Sequence, residues 1–162
     1  MNATLPPGVL LRAAAPSELD ALWALRTRAV LAGCAAHYPP EVLAAWTAAP
    51  PPPSLERLVA AGSALVVEEG EVLLGFAALD GDSGEIETAF VEPAEQGRGL
   101  ALALLEALEA LARRHGIRRL FLSSSLNAAP FYRRAGFTAL REEVYPHHSG
   151  VGIASVYMEK LL

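Results

Sequence analysis

The stretch Val91-Glu92-Pro93-Ala94-Glu95-Gln96-Gly97-Arg98-Gly99-Leu100-Ala101 joins a strand-like run to a helix-like one, and its residue types suit an anion. Two glycines let the backbone turn tightly, so that several N–H groups point at one spot. The N-terminus of the following helix adds unpaired donors and a partial positive charge, and Arg98 supplies a full one. A pyrophosphate fits this combination. The turn is not a kinase-type phosphate loop, which needs G-x-x-x-x-G-K-[ST], because the chain's single lysine is Lys160. Nor is it a dinucleotide fingerprint, since Leu102 stands where a third small residue is required. What remains is Gln96-x-x-Gly99-x-Ala101, an instance of the pattern Q/R-x-x-G-x-G/A. Taken alone it also admits a plainer reading, a glycine turn that opens a helix and holds no ligand.

The elements that must position this turn can be read from spacing. Val9 to Ala14 is a short strand, and Pro16-Ser17-Glu18 opens a helix that carries Leu19, Leu22, Leu25 and Arg26 to about Gly33. Pro40 to Thr47 is a second short helix, Pro50 to Pro53 a stiff connector, and Ser54 is expected to cap a third helix reaching Ala61. Ala64–Glu68 and Val72–Leu79 form a hairpin around Glu69-Gly70-Glu71, followed by a strand from Glu85 to Val91. In that strand Glu85 and Glu87 are expected on one face, opposite Ile86, Thr88 and Phe90. The long helix runs from about Gly99 to His115, with Leu104, Leu105, Leu108 and Leu111 on one stripe, Glu109 and Arg113 paired on the wet side, and Gly116 as the stop. A strand (Arg119–Ser124), a short helix (Ala128–Ala135) and two strands (Phe137–Val144, Ile153–Leu161) complete the chain. The order β-α-α-α-β-β-β-α-β-α-β-β predicts an α/β (mixed α+β) fold: a mixed, mostly antiparallel twisted sheet of about seven strands flanked by helices, in a single domain over 1–162.

Composition narrows the function classes. The chain has 162 residues, 52% of them hydrophobic, enough for one core-bearing domain and too apolar for disorder. Its 18 acidic against 13 basic residues give a net charge of −5, which argues against nucleic acid as a partner. One cysteine, Cys34, rules out a disulfide framework or a cysteine-rich zinc site and reads as a small buried hydrophobe. The longest apolar run, Leu100 to Leu105, is too short to span a bilayer, and Met1 to Pro7 lacks the character of a signal peptide, so no membrane partner and a cytoplasmic location are expected. The excess of alanine and leucine, 31 and 26 residues, is mostly filler for helices.

A second block settles what the glycine turn resembles. Asn127-Ala128-Ala129-Pro130-Phe131-Tyr132-Arg133-Arg134-Ala135-Gly136-Phe137 contains an Asn followed by Y-x-x-x-G-F, one helix and one strand downstream of Gln96-x-x-Gly99-x-Ala101. In order and spacing the two blocks resemble those of the GCN5-related N-acetyltransferase (GNAT) superfamily, and the element order extends the resemblance along the chain. The resemblance implies the acyl-CoA N-acyltransferase fold and acetyl-CoA as cosubstrate, with no metal. It implies that Gln96, Gly97, Arg98, Gly99, Leu100 and Ala101 grip the pyrophosphate and that Asn127 and Phe131 border the pantetheine arm, Asn127 standing closer to Tyr132 than in many members. Backbone N–H groups at Phe90 and Val91, where the family has a bulge, would polarise the thioester carbonyl. Tyr132 would protonate the departing thiolate, and Glu87 would act through water as the base. The competing readings are a Tyr132 ring that only packs beside Phe131 and a Glu87 that is only solvated.

The acceptor side in this family is built by the N-terminal helices and the last hairpin. Cys34-Ala-Ala-His37-Tyr38-Pro39 with Trp46 resembles a bacterial subgroup carrying H-Y-P…W, so His37, Tyr38 and Trp46 are candidate pocket residues; otherwise Tyr38 and Trp46 cover the core and His37 caps a helix. Ser123 to Ser125 either border the ligand gap or end a strand. His147 and His148 sit in a turn, and with His115 they lack metal-ligand spacing, so a solvated loop is expected. The expected partner is a primary amine of a small molecule or peptide. A homodimer through an exposed final strand stays open. The alternative function is an acyl-CoA sensor that has lost catalysis.

Overall fold

Prolines and glycines place the helices. Pro40 and Pro53 occupy first-turn positions, where a missing N–H costs nothing, and Gly99 turns the chain at φ 77° directly before the long helix. The computed structural model describes residues 3–162. Its elements are β1 (Val9–Ala13), α1 (Leu19–Cys34), α2 (Pro40–Ala48), α3 (Pro53–Ala60), β2 (Ala64–Glu69), β3 (Val72–Leu79), β4 (Ile86–Val91), α4 (Leu100–Arg114), β5 (Arg119–Ser125), α5 (Ala129–Arg134), β6 (Thr138–Pro146) and β7 (Gly152–Leu161), with short 3-10 turns at Pro16–Glu18 and Pro93–Glu95. The mixed α/β architecture and the element order are those expected.

The seven strands form two antiparallel sheets, β1-β2-β3-β4 and β5-β7-β6. They touch through one parallel bridge, Glu85–Phe121, where the Phe121 N–H donates to the Gly84 carbonyl at 3.1 Å. Past that point β4 and β5 are not paired, and the sheets open as a V. The leucine stripe of α4 (Leu100, Leu104, Leu105, Leu108) fills one side against Val67, Leu79, Leu122 and Met158. On the opposite side α1 and α3 bury Leu22, Leu25, Leu55 and Leu58 against Val66, Phe76 and Ala78.

The hinge of the V rests on Gly84. Its φ is 89°, and a Cβ there would run into the Arg119 carbonyl. Gly84→Ala is therefore expected to destabilise the protein by about 3 kcal/mol, combining left-handed strain with a backbone clash. Urea denaturation measures this, and an unchanged midpoint would show that the junction yields.

Four local expectations are corrected. Glu109 does not pair with Arg113 on the wet side; it is buried and bonds Lys160 Nζ at 2.7 Å, which also donates to the Ala135 carbonyl at 2.8 Å. Period-based surface assignment failed because β7 delivers a cation from 51 residues away in the chain. Lys160→Met is expected to cost about 2 kcal/mol by stranding the Glu109 carboxylate, less than a fully buried pair because Lys160 is part-exposed; a denaturation midpoint equal to wild type would refute it. Ser54 does not cap α3, whose N-cap is Pro52 with no side-chain bond. The final strand is not an edge: β7 lies between β5 and β6, with both sides paired, so it cannot serve as an exposed dimerisation strand. And Ile86 does not share a face with Phe90. The pairing of β3 with β4 skips from Ala78–Thr88 to Leu79–Ile86, leaving Glu87 as an extra, bulged residue. Ile86 thus enters the core under α4, while Phe90 packs on Phe76 beneath α1.

Candidate active site

The open V holds a cleft of about 660 Å³ that runs from the glycine turn, between β4 and α5, to Tyr132. Gly97 and Gly99 have φ of 84° and 77°, and nothing lies near where a Cβ would stand on either, so the turn faces open space with the first N–H groups of α4 unpaired. Gln96, Leu100, Ala101, Asn127 and Phe131 line the same cleft. Gln96 also braces the turn, its side-chain amide donating to the Val91 carbonyl at 3.4 Å. The Arg98 side chain lies apart from these residues. Its guanidinium bonds Glu95 at 2.6 Å and Glu69 at 3.3 Å and is not part of the cleft wall, where the backbone donors, the helix end and the Arg134 side chain carry the anion-binding character.

The bulge at Glu87 also replaces the one expected at Phe90 and Val91, where pairing with β3 is regular. The Glu92 N–H donates to Leu74 O at 2.7 Å, which makes Phe90–Phe76 and Glu92–Leu74 the hydrogen-bonded pairs. By alternation the Val91 N–H points away from β3 into the gap of the V, whereas the Phe90 N–H is spent on the sheet. Asn127 accepts a hydrogen bond from the Cys34 thiol at 3.2 Å. Burial pushes that thiol up to about 11, so Cys34 stays a protonated wall residue.

Tyr132 projects from α5, where its ring stands edge-on to Phe131 and Phe137 at 5.1 and 5.6 Å. Loss of water pushes its phenol up to about 12. With Ala89, Phe90, Ser125 and Ala128 it borders both the cleft and a second cavity of about 360 Å³. That cavity lies on the α1–α3 side of β4. Its floor carries Glu85 and Glu87. Glu87 is an exposed residue, yet partial desolvation of its carboxyl in the cavity raises it above its ordinary value, opposed by the nearby Ser54 hydroxyl; Asp80 adds to the rise and Arg57 opposes it. Glu85 is raised by burial first, then by the charges of Glu87 and Asp80. Both carboxylates reach the same cavity, although the bulge intervenes.

Of the three residues named for the acceptor side, only Trp46 lines this cavity. His37 is exposed and borders neither space. Tyr38 is a core residue, donating to Ala154 O at 2.6 Å and accepting from Leu126 N at 3.0 Å. The cavity is completed by Trp23 and Arg26, not singled out for it, and by Tyr145, His147 and His148 of the Tyr145 to Ile153 segment expected on the acceptor side. The loop of His147 and His148 is not simply solvated. His148 bonds the Pro50 carbonyl at 2.7 Å and leans on Trp23, and His147 stands edge-on to Trp46. Burial, aided by His148 and Arg26, lowers His147 to about 4, leaving it neutral at physiological pH. Among the described residues no group of three His, Cys, Asp or Glu side chains could hold a metal, and no helix is long and apolar enough to cross a membrane.

The acetyltransferase (GNAT) domain family profile matches residues 34–162. The chain belongs to the GNAT family. As expected for it, the fold is shared along the whole chain: a GCN5-related N-acetyltransferase structure from Rhodopseudomonas palustris superposes with a TM-score of 0.83 at 28% identity, covering 100% of this chain and 99% of that one. A structure of yncA, described as a putative acetyltransferase from Salmonella typhimurium with its cofactor acetyl-CoA, has a TM-score of 0.66 at 26% identity over 95% of this GNAT chain and 94% of its own. A glucosamine 6-phosphate N-acetyltransferase of Trypanosoma brucei brucei is 39% identical over 56 residues, a match that spans 35% of this chain and 38% of that protein.

Proposed function

We propose that this GNAT protein transfers the acetyl group of acetyl-CoA to a primary amine of a small molecule or peptide, by direct attack in a ternary complex. The observation that carries the reading is the meeting of two cavities at Ala89, Phe90, Ser125, Ala128 and Tyr132: one is headed by an anion-binding turn, the other is floored by carboxylates. The residues fit acetyl-CoA, with a positive-φ glycine turn for the pyrophosphate and the apolar wall of Ala89, Val91, Leu104 and Phe131 for the arm.

Acetyl-CoA supplies an activated acyl thioester: the amine lone pair forms the new C–N bond, the C–S bond breaks with its electrons on sulfur, and the products are the N-acetyl amine and coenzyme A. The Val91 N–H, aimed into the gap, donates to the carbonyl oxygen as negative charge grows there. Glu87, through water, takes the proton the ammonium must lose before its nitrogen can attack. Tyr132 donates to the departing sulfur. Full transfer from a phenol at about 12 to a thiolate whose acid is near 8.5 is uphill, so a charge-assisted hydrogen bond is the larger part of its effect.

The test has two arms. A thermal shift with acetyl-CoA reads occupancy of the cleft, and release of coenzyme A with an amine panel reads transfer. Stabilisation without turnover on any amine or peptide would instead favour an acyl-CoA sensor.

A further inference from the structure

The second cavity has more negative charge than one proton transfer requires. Neither Glu85 nor Glu87 takes part in a salt bridge among the described residues, whereas Glu18, Glu68, Glu69, Glu92 and Glu95 all do. The cavity's own cation does not answer them. Arg26 stacks 3.7 Å over Trp23 and gives its N–H groups to the carbonyls of Trp46 and Ala49, where α2 ends. Beside Glu87 the Thr88 hydroxyl oxygen is fully buried with no hydrogen-bond partner, and Thr88 borders the same cavity. Tyr145 completes this end: burial raises its phenol first, and the charges of Glu85 and Glu87 raise it further.

The order along β4 supplies direction. The throat shared with the cleft is at Ala89 and Phe90, Glu87 comes next, and Glu85 lies beyond it at the closed end of the V. From Ala89 at the throat to Glu85 is four residues of strand, at most about 14 Å, which less the reach of the Glu85 side chain is the length of an alkyl chain of several carbons between two nitrogens.

Resting on the acetyltransferase reading above, we propose that the acceptor is a short aliphatic diamine. Its reacting nitrogen lies at the throat before Glu87, and its distal ammonium is held by Glu85 against the Tyr145 ring. Walls of Trp23, Trp46 and His148 cover the carbon chain. An acceptor bearing a carboxylate at the same distance is rejected by Glu85.

The experiment measures initial rates of coenzyme A release by the full chain with putrescine, cadaverine, butylamine and 4-aminobutyrate. The expected kcat/KM for a diamine exceeds that for butylamine by about tenfold or more, the worth of one charge-assisted hydrogen bond, and 4-aminobutyrate is the poorest acceptor. Glu85→Gln collapses the diamine-to-butylamine ratio towards one through KM, and Glu85→Lys turns the preference towards 4-aminobutyrate; melting curves identify any variant that fails to fold. Equal turnover of diamine and butylamine by the wild-type protein, or preference for 4-aminobutyrate, overturns the diamine assignment while leaving the acetyltransferase reading intact. Absence of transfer to all four and to peptides, with acetyl-CoA still bound, overturns both.

Discussion

Tyr132→Phe is expected to lower kcat by about a hundredfold while leaving acetyl-CoA affinity within about twofold, the scale seen when one preorganised donor to developing charge is removed. The separation follows from geometry. Phenylalanine keeps the ring between Phe131 and Phe137, so the cleft wall is preserved, and only the hydroxyl at the junction of the two cavities is lost. The leaving sulfur then departs without a donor. The defect should shrink with an acyl donor whose thiol is more acidic, because less charge then needs stabilising. Calorimetry with acetyl-CoA and steady-state rates measure the two quantities. A variant with full turnover would reduce Tyr132 to packing, and a variant that also lost acetyl-CoA would make it a structural part of the cleft.

What was legible in the sequence depended on whether the partners are local. The glycine turn, the α4 stripe and the Gly116 stop are determined within one turn of chain, and their conformations follow from Gly97, Gly99 and the leucine spacing. Arg98 reads as a charge for the pyrophosphate from its place between two glycines; in the fold it bonds its neighbour Glu95 and also Glu69 on β2, which lies far off in the chain. Ser54 looked like a cap, yet Pro52 stiffens the start of α3 and Ser54 faces Glu87 on β4. His37 and Tyr38 are candidates through the H-Y-P…W resemblance, whereas the cavity takes Trp23, Tyr145 and His148 from three separate elements. No periodicity encodes that convergence. The bulge at Glu87 was equally invisible: a period of two is assumed, and only the β3 pairing reveals the extra residue.

The same bulge makes Glu87 testable by pH. As a base it acts only when ionised, so kcat/KM should rise with pH through its titration, at a pH above the ordinary glutamate range because partial desolvation raises it. The nearby Ser54 hydroxyl favours the ionised form, so Ser54→Ala should raise the carboxyl further and move this acidic limb to higher pH. Asp80→Asn removes a like charge and should move it to lower pH. Glu87→Gln should abolish the limb and cut the rate near neutrality by about a hundredfold, with recovery at high pH as the acceptor amine loses its proton unaided. Stability should respond in the opposite sense. A carboxyl raised in the folded state disfavours folding wherever it is ionised, so Glu87→Gln should be the more stable protein at neutral pH. That advantage should fade as pH falls through the raised value and the wild-type carboxyl becomes neutral. A limb that stays in place in both Ser54→Ala and Asp80→Asn, with Glu87→Gln fully active, would transfer the base to another group. A limb that moves in opposite directions in the two variants places it at Glu87, because only there do both neighbours act with those signs.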